Sequence, residues 1–250
     1  MRIKFIVLFV FFYLIALIST LPASTLVRFI PQSAGLNVAG VSGNAWQGQA
    51  ALISYNKELN LARVSWDLDW LALTTLQAKF NIRFNNGDNA MSGKGIVKFG
   101  FWGKGVENLI LDRSASELLS NVALPVPIDA SGDVSIVIKE AVLGDPYCAT
   151  LDGLVVWKNA QISSQLGNVD LATAKINLSC DNGELVALIK QQSAQISSNI
   201  SALLQAGGLY RLTGTINAGD ELNPDIKQAL TWVGPKDSSG ATLLNFNGRL

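Results

Sequence analysis

Apolar and polar residues alternate along most of the chain beyond residue 60. Val64, Trp66 and Leu68 alternate with charged or polar neighbours. Successive side chains of a strand point to opposite faces, so a period of two predicts strands that are apolar on one face and solvated on the other. The same period returns in Phe80, Ile82 and Phe84; Val97, Phe99 and Phe101; Val134, Ile136 and Ile138; Ala174, Ile176, Leu178 and Cys180; Leu212, Gly214 and Ile216; and Leu244, Phe246 and Gly248. Trp70 continues the first run.

Short turns separate these runs. Residues 85–88 read Asn-Asn-Gly-Asp and residues 181–183 read Asp-Asn-Gly, which are residue types that accept the positive φ of hairpin turns. Long helices do not alternate with the strands, so antiparallel pairing is favoured. The prediction is a mainly β fold, built as an antiparallel curved sheet or a sandwich with a few short helices.

Three short helices are predicted within this pattern. One covers the segment from Pro22 to about Ile30. Ser114 and Glu117 form a capping box ahead of a second helix. A third helix has Asn223 as its cap, Pro224 in its first turn and Gly234 after its last residue.

The N-terminus carries the most apolar run of the chain, from Phe5 to Ile18. With the residues up to 21 it spans about 17 to 19 positions, enough for a helix to cross a hydrocarbon core of ~30 Å. Arg2 and Lys4 precede the run, and the positive-inside bias keeps them cytoplasmic. The predicted organisation is a cytoplasmic start at 1–4, a transmembrane helix at 5–21 and an exported β-rich domain at 22–250, which the family resemblance described below places in the periplasm.

A cleaved signal peptide is the alternative for this segment, since it also has a basic start and an apolar centre. However, Leu21, Pro22 and Ala23 make a poor cleavage site, because small residues are required there. An uncleaved anchor in a single-pass membrane protein is therefore the preferred prediction. Both interpretations, anchor and signal peptide, predict that the body of the chain lies outside the cytoplasm.

The amino-acid composition argues against several classes of function. The 19 basic residues balance the 19 acidic ones, and histidine is missing from the sequence. Without a basic surplus, the electrostatic footprint of a nucleic-acid-binding protein is lacking. Without histidine, the commonest metal ligand and general base are lacking too. We therefore expect no cofactor, no metal and no nucleic-acid partner.

Cys148 and Cys180 are the two cysteines of the sequence, and both lie in the part predicted to be exported. In an oxidising compartment an isolated pair of this kind is expected to form a disulfide. A zinc site or a thiolate dyad would need further ligands or a histidine. The predicted site is thus a structural disulfide between Cys148 and Cys180.

Two segments of the chain are similar to each other. Residues 43–50 resemble 153–160 with one residue inserted, and a similar strand pair follows each of them. These matches predict an internal duplication with halves at about 36–124 and 128–250, joined near Pro125 to Pro127. The body would then contain two similar β units within one continuous sheet.

Candidate catalytic groups have simpler interpretations. Asp67 and Asp69 lie two apart on a strand, about 7 Å from each other, which could suit glycoside hydrolysis, but they occupy the predicted solvated face. Gly100, Gly103 and Gly105 lack the spacing of a phosphate-binding loop and are interpreted as a turn or bulge. The six tryptophans could mark a sugar- or lipid-binding surface, but four of them fall in the strand pattern or its turns, where core packing is the ordinary explanation. Catalytic residues are not predicted, which leaves an anchored interaction or scaffold module.

The sequence 41–50, Val-Ser-Gly-Asn-Ala-Trp-Gln-Gly-Gln-Ala, resembles the N-terminal signature of the type II secretion system protein N family. Further matches are the basic start and anchor, Trp66-Asp67-Leu68 with the leucines after it, the two cysteine segments at 148–153 and 178–183, the helix within 222–234 and the final strand. The resemblance spans essentially the whole chain. Gly43 to Trp46 departs from the family pattern, which has a bulkier residue or a threonine before the tryptophan.

This resemblance implies a non-enzymatic inner-membrane component of the machinery that moves folded proteins from the periplasm across the outer membrane of Gram-negative bacteria. Other subunits of that machinery are then the expected partners, together with the membrane through the N-terminal helix. An alternative from another class is a periplasmic lipid-handling protein similar to the AsmA group, in which one apolar sheet face holds acyl chains. Ala194, Ile196, Ser198 and Ile200 form a weakly apolar face that would suit it. An envelope hydrolase would need a nucleophile or carboxylate pair that the sequence does not offer.

Overall fold

The computed structural model consists mainly of strands from one antiparallel sheet. It describes residues 2–29, 31, 33, 35–56, 59–87, 90–101, 103–119 and 128–249. The strands are β1 Leu36–Ala39, β2 Ser42–Gly43, β3 Gln47–Tyr55, β4 Leu59–Asp69, β5 Gln77–Asn85, β6 Ser92–Gly100, β7 Gly103–Ser114, β8 Asp129–Leu143, β9 Cys148–Ser164, β10 Gly167–Asp181, β11 Glu184–Gln192, β12 Ile196–Gln205, β13 Leu209–Ala218 and β14 Thr242–Arg249. The α-helices are α1 Arg2–Ser19, α2 Ala23–Arg28, α3 Ala115–Leu119 and α4 Pro224–Val233.

The sheet is a meander of 14 strands in which neighbours in the sequence are neighbours in space. The short strands β1 and β2 both pair with β3, and every later strand pairs with the next one along the chain. All described strands belong to this one sheet, which confirms the predicted mainly β, antiparallel fold and selects a single sheet over a sandwich. The pairing of β7 with β8 continues the sheet past the predicted junction. Pro125 to Pro127 lie outside the described residues, and the duplication stays a prediction.

One face of the sheet is apolar over most of its width. Cross-strand partners share a face, so the register identifies the row that runs from β5 to β14. This row defines the apolar face, and its members are Phe84, Gly93, Leu111, Ile136, Val155, Ile176, Ile189, Ile200, Gly214 and Leu244.

The opposite face is mixed. Arg83 pairs with Lys94 near one side of the sheet, and Lys175 pairs with Lys190 further along. Between them an apolar stripe crosses the middle of this face, formed by Ile110, Val137 and Leu154. The prediction of a solvated second face is thus correct for the charged positions, and the stripe is an exception to it.

Few side chains are fully buried, because the sheet is a single layer over most of its area. Val64, Phe84 and Met91 form one small buried cluster, and Ala115, Ala130 and Val134 form another where α3 packs on β8. The accessible surface is 16368 Å². A compact monomer of 26.7 kDa would expose only about 10,700 Å². Part of the excess belongs to α1, and the rest reflects an apolar face that the described residues cover only in part, at α3.

Glycines on the apolar face accommodate large side chains of the neighbouring strand. A Cβ atom on Gly93 would lie 2.7 Å from the Phe84 ring, and one on Gly48 would lie 2.5 Å from the Trp66 ring. The Phe84 ring therefore covers Gly93, and the Trp66 ring covers Gly48. Each ring shields from solvent the backbone of a residue that has no side chain. The two glycines explain how the bulky aromatic rings lie flat against the apolar face.

The helices begin and end close to where the sequence predicts. Asn223 caps α4 by accepting a hydrogen bond from the N–H of Asp225 at 2.8 Å. At α3, the carboxylate of Glu117 lies 3.1 Å from Nε of Arg113. In the described part of the chain, no helix combines the length and the hydropathy that a membrane span requires. The transmembrane helix at 5–21 therefore stays a prediction.

Two strand predictions are wrong at their ends. Trp70 was expected in the alternating run, but β4 ends at Asp69 and a 3₁₀ helix spans Trp70–Thr75. The strand ends there because the Asp69 carboxylate accepts a hydrogen bond from the N–H of Leu71 at 3.0 Å and caps the 3₁₀ helix. Phe101 was expected in the next run, but β6 ends at Gly100 and Phe101 lies in the turn.

Candidate functional site

The acidic residues considered for catalysis lie on the opposite face of the sheet. Asp67 pairs with Asn81 across the strands, and Asp69 pairs with Lys79. Within the described residues, no three side chains of the metal-ligating types His, Cys, Asp and Glu come together. The turn predicted at Gly100 to Gly105 is a hairpin between β6 and β7.

A disulfide joins Cys148, at the start of β9, to Cys180, near the end of β10. Their Cα atoms are 6.1 Å apart. Next to it, the backbone N–H groups of Tyr147 and Cys148 both donate to the carbonyl of Gly183, at 3.2 and 3.3 Å. The disulfide and these bonds hold the β8–β9 turn against the β10–β11 turn.

The side chain of Tyr147 extends this crosslinking to a third turn. Its hydroxyl donates to the carbonyl of Gln205 at 3.0 Å and accepts from the N–H of Gly208 at 3.1 Å. These two residues flank the connection between β12 and β13. Three consecutive turns at one end of the sheet are therefore held together by a covalent bond and by hydrogen bonds with good geometry.

An apolar recess opens on the apolar face beside the disulfide. Its volume is about 430 Å³, and its lining includes Leu151, Leu178, Leu185, Ala187, Leu204 and Tyr210. The recess lies within the size range of small-ligand sites, and no charged side chain lines it. It can accept hydrocarbon, either an acyl chain or the apolar side chains of another protein.

A network of ion pairs lies on the opposite face. The Lys79 ammonium donates to Glu107 at 2.7 Å, and Lys98 donates to Glu107 at 2.9 Å and to Glu140 at 2.6 Å. Hydrogen bonds from Lys79 and then Lys98 hold the pKa of Glu107 below its ordinary value. Burial alone would lower the pKa of Lys98, but its hydrogen bonds to Glu140 and Glu107 outweigh burial and raise it. The four charges neutralise one another, so this site stabilises strand pairing and is not poised for proton transfer.

Two tryptophans are more exposed than a core role would allow. Trp70 is 56% exposed and Trp232 is 80% exposed. The Trp70 ring contacts that of Trp46, with centroids 5.6 Å apart. The sequence held one signal for Trp70, because residues 70–73 are four consecutive apolar residues that do not alternate with polar ones.

These observations define a class of protein. The fold defines a mainly β protein built on one antiparallel sheet, with unpaired edges at β1 and β14 in the described structure and an apolar recess on one face. The chain belongs to the type II secretion system protein N family, whose profile, "Type II secretion system (T2SS), protein N", matches residues 34–245.

Individual relatives carry the same description. The chain is 32% identical over 238 residues to the type II secretion system protein N of Pectobacterium carotovorum, covering 95% of this chain and 93% of the relative. It is 30% identical over 231 residues to the protein of that name from Vibrio cholerae, covering 92% and 91%. It is 30% identical over 246 residues to the one from Aeromonas hydrophila, covering 97% and 96%. No solved structure gives a significant match.

Proposed function

We propose that the protein is a non-enzymatic subunit of a type II secretion system, anchored in the inner membrane by α1 and presenting its sheet in the periplasm to other subunits. The family match over residues 34–245 carries this proposal. The relatives are type II secretion system proteins by name, and they align over nearly their full lengths.

The anchor is supported by the surface of α1. The helix spans Arg2–Ser19, and Phe5, Phe9 and Phe12 on it are each at least 60% exposed. Leaving such side chains in water is unfavourable by about 25 cal/mol per Å² of apolar surface, whereas lipid removes that cost. Lys4, near the start of α1, stays cytoplasmic under the positive-inside bias, which puts the sheet and its disulfide on the oxidising side.

The docking role is supported by the two kinds of free surface on the sheet. Edge strands β1 and β14 each have a hydrogen-bonded neighbour on one side only within the described sheet. A strand of a partner can add to such an edge, while its apolar side chains fill the uncovered face. A membrane tether would raise the effective concentration of partners in the same bilayer.

Crosslinking in intact membranes tests the proposal. A photoreactive side chain at Leu243 on edge strand β14 should yield crosslinks to other secretion subunits, and one at Lys175 in the sheet interior is the matched control. Absence of any secretion subunit among the products, together with normal export in a deletion strain, would contradict the proposed role.

Lipid handling is the second candidate, and the apolar recess favours it. Ala202 lines the recess, and its strand neighbour Ser201 lies on the opposite face. If lipid occupies the recess, Ala202→Phe should fill part of it and lower the amount of lipid found by mass spectrometry in the detergent-purified chain. Ser201→Phe should leave that amount unchanged. Purified protein without lipid would rule this candidate out.

A further inference from the structure

Exposed apolar side chains are concentrated at one end of the sheet. Leu71 and Leu76 are 80% and 75% exposed, Phe101 is 83% exposed, Leu143 is 67% exposed, and Trp70 is the fifth member of the group. We call these five residues the apolar rim. A single exposed leucine is ordinary, but a group of large apolar side chains in adjacent turns marks an interaction surface.

The rim residues are close together because their turns follow one another across the sheet. Gln77, after the 3₁₀ helix, pairs with Gly100, and Gly100 pairs with Gly103. A Cβ atom on Gly100 would lie 2.8 Å from the carbonyl oxygen of Leu76, so the 3₁₀ helix abuts the β6–β7 turn. Gly105 then pairs with Val142, which places Leu143 beside that turn. The rim covers the strand ends from β4 to β8, roughly 20 Å at 4.8 Å per strand.

The same end of the sheet is attached to α1. The carbonyl of Leu21, two residues after the helix, accepts a hydrogen bond from the N–H of Ala45 at 2.9 Å, and Pro22 forms an isolated bridge with Asn44. The adjacent Trp46 ring contacts the Trp70 ring of the rim. Two residues of extended chain span at most about 7 Å, so the end of α1 and the rim lie at nearly the same level.

We propose that the apolar rim is a second membrane contact, inserted at the headgroup level of the bilayer that holds α1, so that the sheet stands on the membrane by one end. The inference rests on the anchoring role proposed for α1. Trp and Tyr rings and leucines are suited to the interface, where apolar bodies meet partly hydrated headgroups. Within three positions of a rim residue along the chain, the basic residues are Lys79, Lys98 and Lys104 and the acidic ones are Asp67, Asp69, Glu140 and Asp145. Since this part of the chain has no basic surplus, attraction to anionic lipid is not the driving force. The contact depends on apolar area and should persist at high salt.

Tryptophan fluorescence provides a direct test, because the chain contains a matched control. Trp232 is as exposed as the rim, but it lies on α4 at the other end of the sheet, where Asn223 donates a hydrogen bond to Leu166 in the β9–β10 turn at 3.2 Å. Strand β9 has 17 residues between the two ends. At 3.3 Å per residue this corresponds to about 50 Å along the strand, well beyond the interfacial layer.

The full chain would be reconstituted in phosphatidylethanolamine and phosphatidylglycerol vesicles with and without brominated phosphatidylcholine, a quencher confined to the bilayer. Emission lost in Trp70→Phe reports on Trp70, and emission lost in Trp232→Phe reports on Trp232. We expect brominated lipid to quench the Trp70 contribution by at least half, at low and at high salt, and to leave the Trp232 contribution unchanged. A second variant, Leu71→Glu with Leu76→Glu, should abolish the quenching of Trp70 while the far-ultraviolet circular dichroism stays that of the wild type.

The outcomes separate the rim from the anchor. Extraction of the protein by alkaline carbonate would refute the anchor and, with it, the rim contact. The other outcome is a protein that stays in the membrane while brominated lipid quenches the Trp70 emission no more than the Trp232 emission. This result would leave the anchor intact and overturn the rim contact. That second result is the one expected if the rim binds another protein and does not contact lipid.

Discussion

The disulfide between Cys148 and Cys180 should supply a large part of the stability of the sheet. The two residues are 32 positions apart. In the chain-entropy model, closing a loop of this length in the unfolded state stabilises the folded state by roughly 3.7 kcal/mol at 25 °C. Since domains are commonly stable by about 5 to 15 kcal/mol, the loss would be a substantial fraction of the total.

The measurement is urea unfolding of the full chain in detergent, followed by far-ultraviolet circular dichroism. Cys148→Ala with Cys180→Ala should lower the free energy of unfolding by about 3 to 4 kcal/mol. Cys148 is buried, and its replacement also removes a packed sulfur. The control is therefore the reduced wild type, which keeps both sulfur atoms and lacks only the bond.

Reductant should bring the wild type close to the double variant and should not affect the double variant itself. A loss below about 1 kcal/mol in both would refute the loop-entropy reasoning and would mean that the unfolded chain keeps this hairpin. A loss in the double variant without a loss in the reduced wild type would assign the effect to packing of the sulfurs. Destabilisation of both is the expected result.

Three further predictions concern single side chains. Glu107→Gln should lower the free energy of unfolding by about 1 to 2 kcal/mol, because it removes charge-assisted bonds to Lys79 and Lys98. The control is Asp152→Asn in the exposed pair with Lys139, which should lower it by less than about 0.5 kcal/mol. Equal losses for the two variants in urea unfolding would contradict this prediction. The pKa of Glu107 is lowered in the folded state. Its contribution to stability is therefore fully present above its pKa in the unfolded chain, about 4.3, and is lost as the pH falls through the folded pKa. The thermal midpoint of Glu107→Gln should accordingly depend less on acid pH than that of the wild type. Gly93→Ala would place a Cβ 2.7 Å from the Phe84 ring and should cost about 1 to 3 kcal/mol, and a neutral result would show that the ring moves freely.

The strands could be predicted from the sequence because a sheet with one apolar and one polar face requires apolar and polar residues to alternate along each strand. The turn at Asn182 and Gly183 was predictable for a related reason, since the two residues have φ of 49° and 86°. The α4 cap at Asn223 and the position of Pro224 likewise depend on neighbours in the sequence. Local rules suffice where the determinants are local.

That the described strands form one sheet, without a second sheet on the apolar face, could not be predicted. An alternating strand has the same pattern whether its apolar face packs against another sheet or stays half open, as at Ile176 and Ile200. The apolar rim was missed for a different reason. Trp70 fits the period of β4 in the sequence, and only the cap formed by Asp69 turns it out of the strand. The recess beside the disulfide depends on the register of five strands, which sequence spacing does not fix.

The meander order of the strands has a consequence for how the sheet folds. Each strand after β2 pairs with its sequence neighbours, so most contacts join strands that are adjacent along the chain, and the sheet resembles a repeat protein in its energetics. If the sheet is exported as proposed, its N-terminal strands could therefore assemble one after another before the last residues have crossed the membrane. Conversely, β14 could detach without unfolding β3, which would let the end of the sheet exchange its own last strand for one from a partner.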